Sequence, residues 1–209
     1  MILAKANGTA WHIERAAEKL RLRAGLPGAR MFDLAAEGLR KSRAASVPTR
    51  DRLALALPAS WCVNSPAPST VLRRWTLPPH DEVWLALVDV LEEPRRGPLD
   101  GESRDAVDMG LRALGSEPFV VEAVSKVLAL VVPEVVPLMP AATRRFVLGE
   151  GAANDGRTFL AMVEWFEGAV REAGAELASW AASHEVPISA AQALDRLLWF
   201  DSDGHHHFP

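Results

Sequence analysis

The chain has 209 residues, of which 49% are apolar, and it carries a formal net charge of −4. This length and composition allow one large or two small domains with a substantial buried core, and the acidic balance does not suggest a general nucleic-acid binder. A single cysteine, Cys62, excludes a disulfide framework within the chain and a zinc site built from cysteines.

The first 57 residues are predicted to form a basic helical subdomain. Its helices are expected at residues 9–24, 30–43 and 49–57. Residues 1–52 hold eleven Lys or Arg and five Asp or Glu, so they carry a local charge of +6 while the remaining residues carry −10. This asymmetry favours an acidic partner, either nucleic acid or an acidic protein surface. The alternative is that these cations are solvated or pair with the acidic part of the chain.

A proline- and serine-rich connection at residues 58–69 leads into a main helical domain, which we place at 70–200. Apart from a central stretch described below, capping residues and apolar periodicity predict helices at 71–75, 78–93, 103–114, 157–184 and 190–200. No hairpin signal is present. We therefore expect an all-α fold of about eight helices in one compact, bundle-like domain, followed by a flexible tail at 201–209.

The helix predicted at 157–184 carries an apolar seam that repeats in steps of four and three. The seam consists of Phe159, Val163, Phe166, Val170, Ala173, Leu177 and Trp180. Such a seam packs either against helices of the same chain or against a second copy of itself. It is the basis of one alternative function, a protein–protein interaction or homodimerisation module built on residues 159–180.

The most apolar stretch of the chain runs from Phe119 to Leu148. Its first part is apolar on every face, which predicts a buried central helix that ends at Pro133. Glu122 and Lys126 stand four residues apart and are expected to pair on its one polar face. A second helix is expected at 141–148, and it carries Arg144 and Arg145.

This stretch resembles the segment that follows the hairpin in helix-hairpin-helix DNA glycosylases, and it more closely resembles bacterial helical proteins related to those enzymes. The matching residues are Ser125, Lys126, Leu128, Pro133 and Pro137. The Leu-Asp-x-x-Leu-Trp sequence at 194–199 is a further similarity to the bacterial proteins. The alternative is an unrelated helical protein with a proline turn in the same place.

The resemblance implies an all-helical protein without glycosylase catalysis. In the true glycosylases a catalytic Asp follows the second proline by two or three residues, whereas this chain has Met139 and Pro140 there. The glycine-rich hairpin of the family is also missing.

No motif for a catalytic or metal site is complete in the sequence. There is no Gly-x-Ser-x-Gly and no His-Glu-x-x-His, and the glycine-rich loop at 149–156 fits neither a dinucleotide fingerprint nor a P-loop. The tail combines Asp201, Asp203 and the histidines at 205–207, but no helix preorders these ligands. We therefore predict no metal site and no cofactor. An enzyme with a site assembled from distant residues is the second alternative function.

The sequence favours a non-catalytic helical binding protein that touches DNA. Lys126, Arg144 and Arg145, together with the basic N-terminal helices, are the predicted phosphate contacts. The start of the chain lacks the apolar core of a signal peptide, and no segment is long enough to span a membrane. We therefore expect a cytoplasmic protein without a membrane partner.

Overall fold

The computed structural model describes residues 1–60, 80–93, 97–115, 120–182, 184 and 186–202. Within these ranges a two-stranded hairpin, β1 (Ile2–Ala4) and β2 (Ala10–His12), is followed by nine helices. The helices are α1 (Ala16–Ala24), α2 (Pro27–Ala44), α3 (Thr49–Ala59), α4 (His80–Glu92), α5 (Gly101–Leu114), α6 (Val120–Val131), α7 (Ala141–Leu148), α8 (Gly156–Ala181) and α9 (Ala190–Ser202). The predicted all-α class is confirmed. Cys62 and the helix predicted at 71–75 lie outside the described residues.

Helix α6 lies at the centre of the core, as its uniformly apolar sequence predicts. Every residue of α6 except Glu122 is buried. Helices α2, α3 and α5 pack against it, while α1 packs against α9. Core residues from both sides of the predicted boundary at residue 57 belong to one continuous apolar cluster. Since most of the connection at 58–69 lies outside the described residues, the division into subdomains stays a prediction.

The N-terminal segment differs from the prediction, because residues expected to begin a helix form an antiparallel hairpin. Leu3 and Trp11 are paired across the two strands, and both are buried. The turn contains Gly8 at a φ of 82°, and the side-chain oxygen of Asn7 accepts the backbone N–H of Thr9 at 3.0 Å. Strands of three residues are too short for their alternation to be recognised in the sequence. The first helix is consequently α1, which begins at residue 16.

Capping residues fix the starts of the last two helices. Asp155 accepts the N–H of Thr158 at 2.8 Å and caps α8. Ser189 and Gln192 form a reciprocal capping box at the start of α9, with N–H to oxygen distances of 2.9 and 3.2 Å. Helix α9 continues through residue 202, so Asp201, which was assigned to the tail, belongs to a helix. Residues 203–209 lie outside the described part of the chain.

The apolar seam on α8 is filled by packing within one chain. Phe159, Val163, Phe166 and Leu177 are fully buried, and Trp180 is partly buried against the same core. Helix α8 packs against α5, α7 and α9. The seam therefore presents no open apolar face, and the homodimer alternative loses the surface that it required.

Acids of the same chain neutralise much of the basic excess of the N-terminal region. Pairs that reach beyond that region include Lys19–Asp201 at 2.5 Å, Arg43–Glu92 at 3.3 Å, Arg52–Glu92 at 2.8 Å and Arg50–Glu82 at 2.7 Å. They connect the N-terminal helices to α4 and α9. Much of the charge asymmetry therefore serves ion pairs that hold the N-terminal helices against α4 and α9.

Four buried charges join α1, α2 and α9. Asp33 on α2 accepts hydrogen bonds from Arg23 of α1 at 2.9 Å and from Arg196 of α9 at 2.7 Å. Arg196 also donates to its neighbour Asp195, which in turn accepts the backbone N–H of Leu138 at 2.7 Å. All four charged residues are 3% exposed or less. Charges buried this deeply are tolerated only when they are paired.

The pKa values of this cluster reflect burial and pairing together. Burial alone would raise the pKa of Asp33, but Arg196 and Arg23 outweigh it and hold that pKa below its ordinary value. Burial lowers the pKa of Arg23 to about 10, with the nearby charge of Arg196 acting in the same direction. At neutral pH the carboxylate of Asp33 is therefore ionised between two guanidinium ions.

Removal of the central carboxylate tests this cluster. We expect Asp33→Ala to lower the free energy of unfolding by about 3–5 kcal/mol, because it leaves two arginines buried with one remaining acid. Urea unfolding followed by circular dichroism measures the loss. Asp89→Ala, on the exposed side of α4, is the control and should change stability by no more than about 0.5 kcal/mol. A similarly small loss of stability in both variants would contradict the role assigned to Asp33 in holding the three helices together.

Candidate nucleic-acid interface

Two of the three predicted phosphate contacts, Lys126 and Arg144, lie near one acid, Glu122, and the third, Arg145, adjoins Arg144. Lys126 on α6 pairs with Glu122, one turn earlier, at 3.1 Å between Nζ and Oε1. Arg144 on α7 is close enough for the charges of Glu122 and of Arg145 to act on it. The fold therefore brings cations from two helices together, as the sequence analysis required.

These three side chains differ in their access to solvent, which corrects the prediction that each touches phosphate. Lys126 is 3% exposed and Arg144 is 6% exposed, whereas the side chain of Arg145 is 51% exposed. Lys126 is enclosed because α6 is the central helix, and Arg144 turns inward from α7. Only Arg145 of the three is placed to contact a phosphate directly.

Burial and neighbouring charges both act on the cations of this site. Burial lowers the pKa of Lys126, and the opposite charge of Glu122 partly offsets this effect. Burial also lowers the pKa of Arg144, again with Glu122 opposing it and Arg145 adding to it. Arg145 comes no closer than 4.0 Å to Glu150, an acid with 93% of its side chain exposed, so this pair contributes little. The exposed guanidinium of Arg145 therefore lies next to a second cation, Arg144, whose charge repels its own.

The residues that carry the resemblance to the glycosylases have structural roles here. Residues 133–140, which we call the proline segment, connect α6 to α7. Ser125 accepts the N–H of Met139 at 3.0 Å, and Asp195 accepts the N–H of Leu138. Arg144 donates to the carbonyl oxygen of Met139 at 2.6 Å. These bonds satisfy buried backbone groups that no helix or sheet can pair. The inward-facing Arg144 is thus explained by its bond to the proline segment.

Of the two positions at which the resemblance implies a catalytic Asp, Met139 is closed to solvent and Pro140 is half-buried. Met139 is fully buried within the core. The carboxylate of Asp195 lies near by, on the neighbouring backbone N–H, but burial raises its pKa and Arg196 occupies its other oxygen. Neither residue offers a carboxylate to a ligand at the surface.

A cleft of about 650 Å³ lies between α5 and the start of α8. Its charged lining includes Arg104, Asp108, Arg112 and Asp155. Arg104 pairs with Glu164, Arg112 pairs with Asp108 at 2.7 Å, and Asp155 caps α8. These contacts account for four charged residues of the lining by packing and capping. Asp105 and Arg157 also line the cleft, and the alternative of an enzyme stays a prediction.

Two further properties are observed for the described part of the chain. It contains no group of three His, Asp, Glu or Cys residues arranged to hold a metal ion, and the histidines at 205–207 lie outside it. No helix within it has both the length and the apolar character needed to cross a membrane.

Comparison of the chain with protein-family models, with curated proteins and with solved structures gives no match. The likeness to the helix-hairpin-helix glycosylases therefore rests on the residues of the α6–α7 region and of α9 alone. It stays a prediction.

The hydroxyl of Ser125 is the first test of the site's construction. We expect Ser125→Ala to lower the free energy of unfolding by about 1–3 kcal/mol, because the buried N–H of Met139 loses its acceptor. The matched control is Ser42→Ala, which removes a hydroxyl bonded to the carbonyl of Gly38 on an exposed face of α2. Chemical denaturation compares the two variants. Equal effects would show that the Ser125 bond is not needed to hold the proline segment.

The burial of Lys126 predicts that the stability of the folded protein depends on pH. The folded-state pKa of Lys126 lies below the ordinary 10.5, so the charged form is disfavoured in the folded protein at neutral pH. This cost is relieved as the pH rises through the folded-state pKa toward the unfolded value. Relative to Lys126→Met, the wild-type protein should therefore gain stability between about pH 7 and about pH 10.

Urea titrations at the two pH values measure this difference. Lys41→Met is the control, because 71% of the Lys41 side chain is exposed. A stability difference between the wild-type protein and Lys126→Met that stays constant with pH would contradict the prediction.

Proposed function

We propose that this chain is a non-catalytic binding protein that contacts DNA through Arg145, with Lys126 and Arg144 as buried cations behind that contact. The observation that carries the proposal is that Lys126 and Arg144, from two helices, both lie close enough to Glu122 to feel its charge, and that the exposed Arg145 is close enough for its charge to act on Arg144. Cations close together contribute positive potential at the surface near them, and a phosphate backbone is the natural counter-charge.

The absence of a catalytic group from this region supports a binding role over a catalytic one. Met139 and Pro140 stand where the resemblance implies the Asp of a glycosylase, and the bonds around them hold a loop in place. A distant relationship to the helix-hairpin-helix glycosylases is part of the proposal. In this proposal the chain keeps the fold and the cations of those enzymes but does not catalyse their reaction.

The basic N-terminal helices add less to binding than their charge count indicates. Their pairs with Asp201, Glu82 and Glu92 neutralise much of that charge within the molecule. With roughly one to three phosphates contacted, the slope of log binding constant against log salt should be about −1 to −3. We therefore expect weak binding with a shallow dependence on salt.

The direct test is binding of a labelled DNA duplex, measured by fluorescence anisotropy across a salt series. We expect Arg145→Glu to weaken binding about tenfold at low salt and to reduce the salt slope by about one unit, because one phosphate contact is lost. Arg145→Lys should retain most of the affinity, since it keeps the charge.

Arg112→Glu is the matched control, because it reverses a still more accessible arginine on another helix, 79% exposed against 51% for Arg145. It should leave the affinity close to that of the wild-type protein. Absence of binding at low salt would overturn the proposal. Equal losses in the Arg145 and Arg112 charge reversals would show that only net charge matters and would also overturn it.

A further inference from the structure

Three aromatic rings form a row beside Arg145, where the hairpin meets α7 and α8. The ring of Trp11 meets that of Phe146 edge-on at 5.7 Å between centroids, and it meets that of Trp165 at 6.3 Å. Trp11, in the middle, is 3% exposed, whereas Phe146 and Trp165 are only partly buried. We call Trp11, Phe146 and Trp165 the aromatic row.

Hydrogen bonds hold the aromatic row in position. The indole N–H of Trp11 donates to Asp201 at 2.9 Å, and that of Trp165 donates to the carbonyl oxygen of Ala4 in the hairpin at 2.8 Å. The backbone N–H of Asn7 donates to the carbonyl oxygen of Val147 in α7 at 3.1 Å, which fixes the hairpin beside the helix. The rings are therefore held in place before any ligand arrives, which lowers the entropic cost of binding.

One cation lies over the ring of Phe146, an outer ring of the row, and a second cation is its neighbour in sequence. The ammonium of Lys5 lies 4.2 Å from the centroid of Phe146, in a cation–π contact at a partly exposed position. Arg145 precedes Phe146 in α7, and its side chain is exposed. Aromatic rings interleaved with cations are the surface that single-stranded nucleic acids bind, since bases stack on the rings and phosphates meet the charges.

We infer that the nucleic acid bound beside Arg145 is single-stranded, with unpaired bases stacking on Phe146 and Trp165 and its phosphates on Lys5 and Arg145. This inference rests on the proposed function and names the class of nucleic acid. Stacking of a base on an aromatic ring is worth more than an exposed cation–π contact. A base can therefore displace the ammonium of Lys5 from the face of Phe146, and the freed ammonium then neutralises a phosphate. A duplex keeps its bases stacked inside and makes only the contacts to phosphate.

The test compares a labelled oligothymidylate of about 15 nucleotides with a duplex of the same length, by fluorescence anisotropy at matched salt. An oligouridylate of equal length distinguishes DNA from RNA as the source of the single strand. We expect the wild-type protein to bind the single strand about tenfold more tightly than the duplex. Phe146→Leu and Trp165→Leu should each weaken single-strand binding about tenfold while leaving duplex binding unchanged.

Trp180→Leu is the matched control. It removes a partly buried tryptophan from the same helix, about 22 Å further along α8 by the rise per residue. Thermal melting verifies that each variant is folded at the assay temperature. Lys5→Gln is a milder variant that keeps a polar side chain at residue 5 and removes its positive charge. It should weaken single-strand binding and make its salt dependence shallower, without the loss of packing that truncation of a ring brings.

The outcomes separate the inference from the function on which it rests. Preference for the single strand, lost in the two ring variants and kept in Trp180→Leu, supports both. Equal binding of duplex and single strand that depends on Arg145 but not on the rings overturns the inference and leaves the proposed function standing. No binding of either nucleic acid at low salt overturns both.

Discussion

The carboxylate of Asp33 is the buried charge on which the arrangement of the other elements depends. Guanidinium groups from α1 and α9 enclose it, and since neither reaches solvent, the three helices are held in one arrangement. Fixing α9 also fixes Asp195, which holds the N–H of Leu138 in the proline segment. That segment sets the start of α7, so the outward position of Arg145 follows from contacts deep in the core.

Much of this fold is predictable from local sequence, because caps and apolar periodicity act over a few residues. The α7 boundaries, the end of α6 before Pro133 and the cap at Ser189 all follow from such patterns. The hairpin was missed because three-residue strands carry almost no periodicity. At the candidate site the grouping of the cations was predicted, but the burial of Lys126 was not. Lys126 is buried by helices that come from distant parts of the chain, and local patterns do not show them. The pairing of Asp33 with a residue 163 positions away is hidden from local patterns for the same reason.

The use of charge in this molecule explains why composition is a weak guide to its partners. Arginines that look available in the sequence are occupied: Arg52 binds Glu92, and Arg144 binds a backbone carbonyl. Such pairs hold elements of the chain together and occupy cations that composition alone would assign to a ligand. Recognition would then depend on a small group of side chains at the junction of the hairpin and α7, where exposed charge and partly exposed rings coincide.

The hydrogen bond between Trp11 and Asp201 joins parts of the chain that are 190 positions apart. During synthesis, the hairpin and α1 emerge from the ribosome long before α9, so they lack both this contact and the arginine that completes the pairing of Asp33. The N-terminal region therefore cannot complete its packing until residue 201 has been made, and its charged and apolar surface stays uncovered until then. Contacts over such separations slow folding, and they make the nascent chain dependent on protection from aggregation during that interval.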